Sequence, residues 1–293
     1  MSYSLPQWNF QGDCVIISGG ARGIGAGLVT HFARAGASVV FGDIDTIGAK
    51  ELLEELDDLP VHFVEADFAE PDAWEKLKAR AEALGLSANL VIANAGIGHQ
   101  GRVEETPVEM FDRLIHLNVR SAWLAARTFG ETLAKNRGSL LLVGSVMASF
   151  GTEGQTLYSS SKAALAGMLR NLCVEYAPKG VRVNMIVPGY ILNDPPSLYR
   201  TEVPPKLWRE FHQRFGLAAA EANPPVQPLA FWGEPSDIAQ AACFLHSAAA
   251  RYISGAELRV DGGLLCQSPI RPGTGNDAWR WTPEMRQWLE EHL

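Results

Sequence analysis

Tyr158 and Lys162 are the residues of this chain whose types and spacing most directly suggest proton chemistry. They stand four residues apart in a stretch whose apolar residues recur at helical spacing, and positions i and i+4 share one face of a helix. An ammonium group beside a phenol favours the phenolate, and the ordinary pKa of tyrosine is about 10. Titration near neutrality needs a shift of about 3 units, or about 4 kcal/mol, which a partly desolvated lysine and a positively charged cofactor ring can supply. The pair therefore predicts a tyrosine that donates or accepts a proton.

Two further polar residues are predicted to join this pair. Ser145 follows the apolar run at 140–143 and comes thirteen residues before Tyr158, so a hydroxyl at a strand end can reach the same substrate oxygen. Asn118 lies in an otherwise apolar helical stretch, where the alternative interpretation is an internal amide with satisfied hydrogen bonds. We interpret Asn118, Ser145, Tyr158 and Lys162 as one catalytic set.

A glycine-rich segment, Ser18-Gly19-Gly20-Ala21-Arg22-Gly23-Ile24-Gly25, directly follows an apolar run and opens a helical pattern. Glycines permit a tight turn and a close approach of the main chain, so that a pyrophosphate can rest on the helix N-terminus. Asp43 ends the next apolar run, roughly twenty residues past the glycines. A carboxylate there accepts hydrogen bonds from the adenosine ribose and repels a 2′-phosphate. These features predict a dinucleotide site that prefers NAD over NADP.

Two residues keep alternatives open at this site. Arg22 could pair with a 2′-phosphate, contact the pyrophosphate or simply be solvated. Asp43 could be a turn-capping acid, a common role for aspartate at the end of a strand. Asn94-Ala95-Gly96, after the fourth apolar run, places small residues where the main chain can approach a cofactor closely.

The elements that must position these residues are visible in the hydrophobic pattern. Seven short apolar runs alternate with helical patterns, at 15–17, 39–41, 61–64, 90–92, 140–143, 183–187 and 258–260. Such alternation is typical of a parallel sheet that helices cover on both faces. We predict an α/β fold, a Rossmann-type, doubly wound, seven-stranded parallel sheet that binds ligands beyond the carboxyl ends of its strands. Residues 1–263 would form a single domain, with a proline-bounded lobe at 194–228 as a substrate cap, and 264–293 would be a C-terminal extension.

Composition narrows the classes of partner. The chain has 293 residues, 47% of them hydrophobic, and a net charge of -8, which argues against nucleic acid. No apolar stretch is long enough to cross a bilayer, and the histidines form no metal-binding motif. Four scattered cysteines and an N-terminus unlike a signal peptide predict a cytoplasmic protein without a metal.

The order and spacing of these motifs resemble the classical short-chain dehydrogenase/reductase family over residues 8 to about 263. The resemblance rests on SGGARGIG, Asp67 after the third strand, NAG, Asn118, Ser145, Tyr158-xxx-Lys162, Pro188-Gly189 and Val260-Asp261-Gly262-Gly263. Ser18 and Asn193 depart from it, because each stands where the family often has threonine. The resemblance implies a single Rossmann-type domain and a homotetramer or dimer.

The resemblance also implies a role for each site residue. Tyr158 would be the base in alcohol oxidation and the acid in ketone reduction, and Lys162 would bind the nicotinamide ribose and lower the pKa of Tyr158. Ser145 would hydrogen-bond the substrate oxygen, and Asn118 would help hold a water that links Lys162 to solvent. The implied cofactor contacts are Gly19, Arg22, Gly23, Ile24, Asp43, Ile44, Asp67, Phe68, Asn94, Gly96, Tyr158, Lys162, Pro188, Gly189 and Ile191. The implied substrate contacts are Ser145, Met147, Tyr158 and Tyr190.

The sequence therefore predicts an NAD-dependent oxidoreductase that interconverts a secondary alcohol, such as a sugar, polyol or cyclic alcohol, with its ketone or lactone. An NADPH-dependent ketoreductase is the alternative within the same class, since Arg22 could serve a 2′-phosphate. A binding protein that senses NAD without catalysis is the alternative from another class. A lyase, epimerase or dehalogenase on the same fold is a further possibility.

Overall fold

A computed structural model describes residues 7–192, 228–229 and 231–266, and within them seven strands form one all-parallel sheet. The strands are β1 (Cys14–Ser18), β2 (Ser38–Asp43), β3 (Val61–Glu65), β4 (Leu90–Ala93), β5 (Ser139–Val143), β6 (Arg182–Pro188) and β7 (Glu257–Val260). Each of the seven predicted apolar runs lies within one of them. The prediction of a seven-stranded, doubly wound parallel sheet is confirmed.

Helices cover both faces of this sheet. They are α1 (Gly23–Arg34), α2 (Thr46–Glu55), α3 (Ala73–Ala83), α4 (Val108–Ile115), α5 (Ser121–Asn136), α6 (Thr156–Tyr176) and α7 (Pro235–His246). Alternate residues of a strand point to opposite faces, and β1 shows the result. Val15 and Ile17 pack in one core cluster with α1 and α7, whereas Ile16 packs in the other with α3, α5 and α6. The central strands β1, β4 and β5 are almost entirely apolar because both of their faces are buried.

The strand order 3-2-1-4-5-6-7 places a topological switch between β1 and β4. The chain winds outward from β1 to β3 in one direction and from β4 to β7 in the other. The loops that follow β1 and β4 therefore diverge, and a crevice opens at the carboxyl ends of these two strands. The glycine-rich segment and the Asn94-Ala95-Gly96 segment border this crevice.

A serine–histidine–aspartate arrangement at the opposite, amino edge of the sheet serves structure rather than chemistry. His246 Nε2 lies 3.1 Å from Asp13 Oδ2, and its Nδ1 lies 2.9 Å from Ser139 Oγ. Ser139 is only 3% exposed, so its hydroxyl is not open to a substrate. The three residues join the end of α7 to the starts of β1 and β5.

Two predicted features fall largely outside the described residues. Of the cap lobe at 194–228, only Pro228 is described, and of the extension at 264–293, only a short turn at Leu264–Cys266. In the described ranges no helix is long and apolar enough to span a membrane. The same ranges contain no group of three or more His, Cys, Asp or Glu residues placed to hold a metal ion.

Candidate active site

The predicted site residues converge on the carboxyl edge of the sheet. All but Asn118, which lies in a turn between two helices, are at the end of a strand, in the loop that follows it, or in the first turns of an adjacent helix. Parallel strands bring these positions together although they are far apart in the chain. The site has two halves: a glycine turn with its neighbouring carboxylates after β1 and β2, and an acid–base group next to β4 and β5.

The glycine turn forms a cradle that side chains would fill. Gly19 has a φ of 68°, a left-handed conformation that favours glycine. A Cβ at Gly25 would lie 1.8 Å from the carbonyl oxygen of Gly19, so the turn can close only around a glycine. Among the described residues, no side chain caps the N-terminus of α1, and its first turn holds no acidic residue. This helix end is suited to an anion such as a pyrophosphate.

Asn94 shapes the glycine turn through its side-chain amide. Its Nδ2 donates to the carbonyl oxygens of Ser18 and Gly19 at 3.0 and 2.9 Å. The hydroxyl of Ser18 accepts hydrogen bonds from the main-chain nitrogens of Asn94 and Ala95, each at 3.0 Å. The serine therefore supplies the hydroxyl that the family's threonine would supply.

Asp43 is both a turn-capping acid and a candidate ribose acceptor. Its Oδ2 accepts from the Ala21 nitrogen at 3.0 Å, and its Oδ1 accepts from the Asp45 nitrogen at 2.9 Å. An ionised carboxylate has about four acceptor sites, so two remain for ribose hydroxyls. Ile44 beside it is 60% exposed and can cover one side of a bound adenosine.

Arg22 is not simply solvated, because two carboxylates hold its guanidinium. Its guanidinium turns toward α2, where Nε lies 3.1 Å from Asp45 Oδ2 and Nη1 lies 2.5 Å from Glu51 Oε2. Partial burial disfavours the charge, but the hydrogen bonds and attraction of the two carboxylates outweigh it and raise the pKa of Arg22. These two carboxylates hold the guanidinium of Arg22, and its predicted contact with a pyrophosphate stays a prediction.

The residues after β3 contribute less side-chain surface than predicted. Asp67 Oδ1 accepts from the Ala69 nitrogen at 2.9 Å, and Oδ2 pairs with Arg113 at 3.3 Å. Phe68 is 3% exposed, and its ring packs edge-on against Trp74 at 4.9 Å between centroids. Its side chain belongs to the core, so it can meet an adenine only through its main chain.

Asn118 lies in a π-helical turn, His116–Arg120, that joins α4 to α5. Its Oδ1 accepts from the Ile97 nitrogen at 2.9 Å, and its Nδ2 donates to the Ile97 oxygen and to Ser161 Oγ, each at 3.0 Å. Ser161 Oγ in turn donates to the carbonyl oxygen of Tyr158 at 2.7 Å. Asn118 is thus the satisfied internal amide of the alternative interpretation, and it also fixes the first turn of α6. Such π-helical turns are frequent at functional sites.

Lys162 is buried in the same half of the site. Its Nζ donates to the carbonyl oxygen of Val143, the last residue of β5, at 2.9 Å. The same nitrogen lies 5.9 Å from the centre of the Tyr158 ring, so the i, i+4 spacing brings the pair together as predicted. Burial lowers the pKa of Lys162 to about 8.

Tyr158 is not acidified in the way the spacing predicts. Burial raises the pKa of its phenol, and a hydrogen bond with Ser145 opposes that rise without cancelling it. Desolvation disfavours the charged phenolate form of Tyr158, and it also disfavours the charged ammonium form of Lys162. Among the described residues, Ser145 rather than Lys162 favours the phenolate.

The remaining predicted contacts lie after β5 and after β6. The main-chain nitrogen of Met147 donates to Ser145 Oγ at 3.2 Å and so orients this hydroxyl. Tyr190 is 39% exposed and packs edge-on against Trp232 at 5.2 Å. Gly189 follows β6 where a Cβ would lie 2.6 Å from Asp261 Cα, and Ile191 forms a bridge with Gly233. These contacts join the end of β6 to the segment before α7 and to the end of β7.

A doubly wound sheet with a glycine turn at its switch point, and with a buried serine and lysine and a half-buried tyrosine beside it, is an arrangement typical of dinucleotide-binding oxidoreductases. A family model described as enoyl-(acyl carrier protein) reductase matches residues 19–265. This chain belongs to the classical short-chain dehydrogenase/reductase family of oxidoreductases, which confirms the resemblance seen in the sequence.

Relatives with a named activity span nearly the same length. The 2,5-dichloro-2,5-cyclohexadiene-1,4-diol dehydrogenase LinX of Sphingobium indicum is 32% identical over 86% of this chain and 96% of its own. The galactitol 2-dehydrogenase (L-tagatose-forming) of Cereibacter sphaeroides is 31% identical over 87% of this chain and 96% of its own. A solved structure of a blue fluorescent protein from a metagenomic library, in complex with NADPH, has a TM-score of 0.73 at 29% identity over 87% of this chain and 99% of that chain.

The structure adds three functional candidates that the sequence analysis did not single out. They are Asp45, Glu51 and Ser161. Asp45 had a local signal, since an aspartate three residues before a glycine at the start of a helical pattern is a common N-cap. Ser161 and Glu51 had none, because their partners Asn118 and Arg22 are distant in the chain and the spacing of neighbours does not show such contacts.

Ser161 is predicted to hold the first turn of α6 in place. Ser161→Ala would leave Asn118 Nδ2 with one hydrogen bond fewer in a buried setting and lower the free energy of unfolding by about 1–2 kcal/mol. Urea denaturation would measure it. Ser160→Ala, at an exposed position of the same helix, should change stability by less than about 0.5 kcal/mol. Equal effects of the two substitutions would contradict this role.

Lys162 is predicted to make stability rise with pH. The pKa is 10.5 for an ordinary lysine and about 8 in the fold, so between these values the unfolded chain binds more protons. The free energy of unfolding should therefore increase by about 3 kcal/mol across that range, a gain that is absent below pH 8. Denaturation at pH 7.5 and pH 10 would show this increase in the unmodified protein and in Lys135→Met, an exposed control. Lys162→Met should lack it, and an unchanged pH dependence would refute the assignment.

Proposed function

We propose that this protein is an NAD-dependent oxidoreductase that interconverts a secondary alcohol, such as a sugar, polyol or cyclic alcohol, with its ketone or lactone. The observation that carries the proposal is the half-buried Tyr158, hydrogen-bonded to Ser145 and adjacent to the buried Lys162, at the edge of a crevice that a glycine turn borders. Proton transfer and dinucleotide binding can therefore occur side by side.

The residues around the crevice fit a dinucleotide. The N-terminus of α1, whose first turn holds no acidic residue, would hold the pyrophosphate, and Asp43 would accept hydrogen bonds from the adenosine ribose. Gly96 leaves room beside Lys162, since a Cβ there would lie 3.4 Å from Lys162 Nζ and 3.0 Å from Asn118 Oδ1. When bound, the nicotinamide dinucleotide supplies the two-electron acceptor or donor for the substrate carbon.

The protein's own groups would manage the substrate oxygen and its proton. In alcohol oxidation the Tyr158 phenolate would take the proton of the substrate hydroxyl, and in reduction the neutral phenol would return it. Ser145 would donate a hydrogen bond to the same oxygen and stabilise the charge that develops on it. Lys162, with a pKa of about 8, can exchange a proton near physiological pH and would hold the ribose hydroxyls of the cofactor.

NAD is proposed over NADP because of the charge near the adenosine end. Asp43 stands where a 2′-phosphate would lie, and Arg22, which could have balanced that phosphate, is already held by Asp45 and Glu51. The solved structure of a relative with NADPH supports the alternative of an NADPH-dependent ketoreductase. The carboxylates of this chain favour NAD.

A binding protein without catalysis is disfavoured by the burial of Lys162. Holding an amine where its pKa falls from 10.5 to about 8 costs stability, on the order of 3 kcal/mol at neutral pH. A protein that only binds NAD could hold the ribose hydroxyls with a lysine of ordinary pKa, so it needs no such shift. A reaction centre does, because it needs a lysine that can release its proton.

The substrate class is proposed from the site and from the relatives. LinX is named as a dehydrogenase of a cyclic diol, and the Cereibacter sphaeroides enzyme as a dehydrogenase of galactitol. Met147, whose main-chain nitrogen donates to Ser145 Oγ, and Tyr190, which is 39% exposed after β6, would contact the carbon skeleton next to the reacting carbon. Both observations fit a substrate whose reacting carbon bears a hydroxyl group.

We also propose a cytoplasmic homotetramer or dimer. All four cysteines are unpaired, as expected in a reducing compartment. Phe111 on α4 and Trp123 on α5 are 51% and 47% exposed, and exposed aromatic side chains are typical of contacts between subunits. The residues 1–263 would form the single domain, with 194–228 as its cap.

Tyr158→Phe is predicted to abolish turnover while NAD+ binding persists. Loss of general acid–base catalysis lowers the rate by about 100-fold to 10,000-fold. The test follows reduced-nicotinamide absorbance with a panel of polyols, sugars and cyclic alcohols, and NAD+ binding by calorimetry. The unmodified enzyme should oxidise faster as pH rises, because the phenolate is the base, and reduce faster as pH falls. Full activity of Tyr158→Phe would contradict the proposed role of Tyr158 as the acid–base residue.

Asp43→Ala is predicted to weaken the preference for NAD+ by about tenfold or more, since each 1.4 kcal/mol of lost interaction is a factor of ten. Calorimetric dissociation constants for NAD+ and NADP+ would measure this ratio. Asp58→Ala, an exposed acid beyond α2, removes the same charge away from the site and should leave the ratio unchanged. If both variants keep the original preference, Asp43 does not select the cofactor.

A further inference from the structure

The ion pairs of Arg22 involve two carboxylates with different surroundings. Asp45 is the N-cap of α2, and its Oδ1 accepts from the Gly48 nitrogen at 2.9 Å while its Oδ2 meets Arg22 Nε. Glu51 lies in the middle of α2 and meets the other end of the guanidinium. The side chains of Arg22 and Asp45 are 23% and 18% exposed, so this contact is partly shielded from water. Arg22 is therefore held at two points on a rigid helix.

Gly48 makes this arrangement possible. A Cβ at this position would lie 2.3 Å from Arg22 Nε and 2.9 Å from Asp45 Oδ2. The guanidinium lies across α2 where any larger residue would displace it. The φ of Gly48 is not in the left-handed range, so the requirement for glycine at this position comes from the space that Arg22 occupies.

The same turn connects these residues to the predicted ribose acceptor. Ala21, directly before Arg22, donates its N–H to Asp43 Oδ2, and the N–H of Asp45 reaches Asp43 Oδ1. The side chain of Arg22 thus begins beside Asp43 and is drawn away from it by α2. A 2′-phosphate carries a charge of about -1.5 to -2 and would need a cation at this place.

We propose that Asp45, Gly48 and Glu51 form a clamp that withholds Arg22 from the ribose 2′ position and so acts as a second determinant of NAD preference. This inference rests on the proposed function and adds residues of α2 to it. The clamp holds Arg22, the cation of the glycine turn, away from the ribose 2′ position. It also adds the carboxylates of Asp45 and Glu51 to that of Asp43, so that three carboxylates are balanced by one guanidinium. Discrimination arises both from repulsion and from the loss of a binding partner.

Release of the clamp should create affinity for a 2′-phosphate. The test variant is Asp45→Asn/Glu51→Gln, because asparagine retains the N-cap of α2 and both changes keep side-chain volume. In the full-length protein, calorimetry with 2′,5′-ADP and with 5′-ADP isolates the adenosine end from turnover. We expect the affinity for 2′,5′-ADP to rise by about tenfold or more, as a new charge-assisted contact with Arg22 implies, and that for 5′-ADP to change by less than about threefold.

Three further variants show whether the gain depends on the clamp itself. Glu54→Gln removes a charge from α2 at a residue that pairs with Lys50 at 3.8 Å, and it should have no effect on either ligand. Adding Arg22→Met to the double variant should abolish the gain, because the gain depends on the guanidinium. Gly48→Ala should displace Arg22 with all carboxylates intact and raise the affinity for 2′,5′-ADP, so a second route tests the clamp if the double variant folds poorly.

The outcomes distinguish the clamp from the proposed function. A gain that requires Arg22 supports the clamp. An unchanged affinity for 2′,5′-ADP in both the double variant and Gly48→Ala overturns it, as does a gain that survives Arg22→Met, since only general repulsion would then be at work. Failure of the unmodified protein to bind NAD+ and 5′-ADP would overturn the proposed function itself.

Discussion

The burial of the Lys162 amine against the carbonyl oxygen of Val143 is the constraint that organises the acid–base half of this protein. A buried amine needs fixed partners, so β5 must end where α6 begins to pack. The π-helical turn with Asn118 holds that start of α6 through Ser161 and the Tyr158 carbonyl. Gly96 suits this place, because a Cβ there would lie only 3.0 Å from Asn118 Oδ1. One buried charge thus accounts for features from four different elements.

The half of the site around the glycine turn is organised by the distribution of positive and negative charge. The glycine turn offers the positive end of α1 to an anion, whereas the end of β2 and the start of α2 carry carboxylates. Arg22 lies between them and is bound to the carboxylate side. A ligand with a central pyrophosphate and an unmodified ribose matches this pattern, and extra negative charge on the ribose does not.

The sequence predicts the sheet well because its signals are local. Runs such as 140–143 are apolar at every position, as strands buried on both faces must be, and each lies within an observed strand. The catalytic set follows from spacing and order along the chain. Contacts across the fold are less accessible: the partner of Ser161 is 43 residues away and that of Arg22 is 29 residues away. Phe68 shows the same limit, since its burial against Trp74 depends on packing that no motif encodes.

The pKa of Tyr158 shows why a correct pair of residues can still behave unexpectedly. The spacing of Tyr158 and Lys162 places a cation near a phenol. Burial acts on both side chains, however, and disfavours the charged form of each. The pKa of Lys162 therefore falls to about 8 while that of Tyr158 rises above 10.0, so the lysine loses its proton before the tyrosine does. Ordinary side chains titrate in the reverse order. A positive charge bound in the crevice would oppose the effect of burial on the phenol, which would make proton transfer by Tyr158 depend on an occupied site.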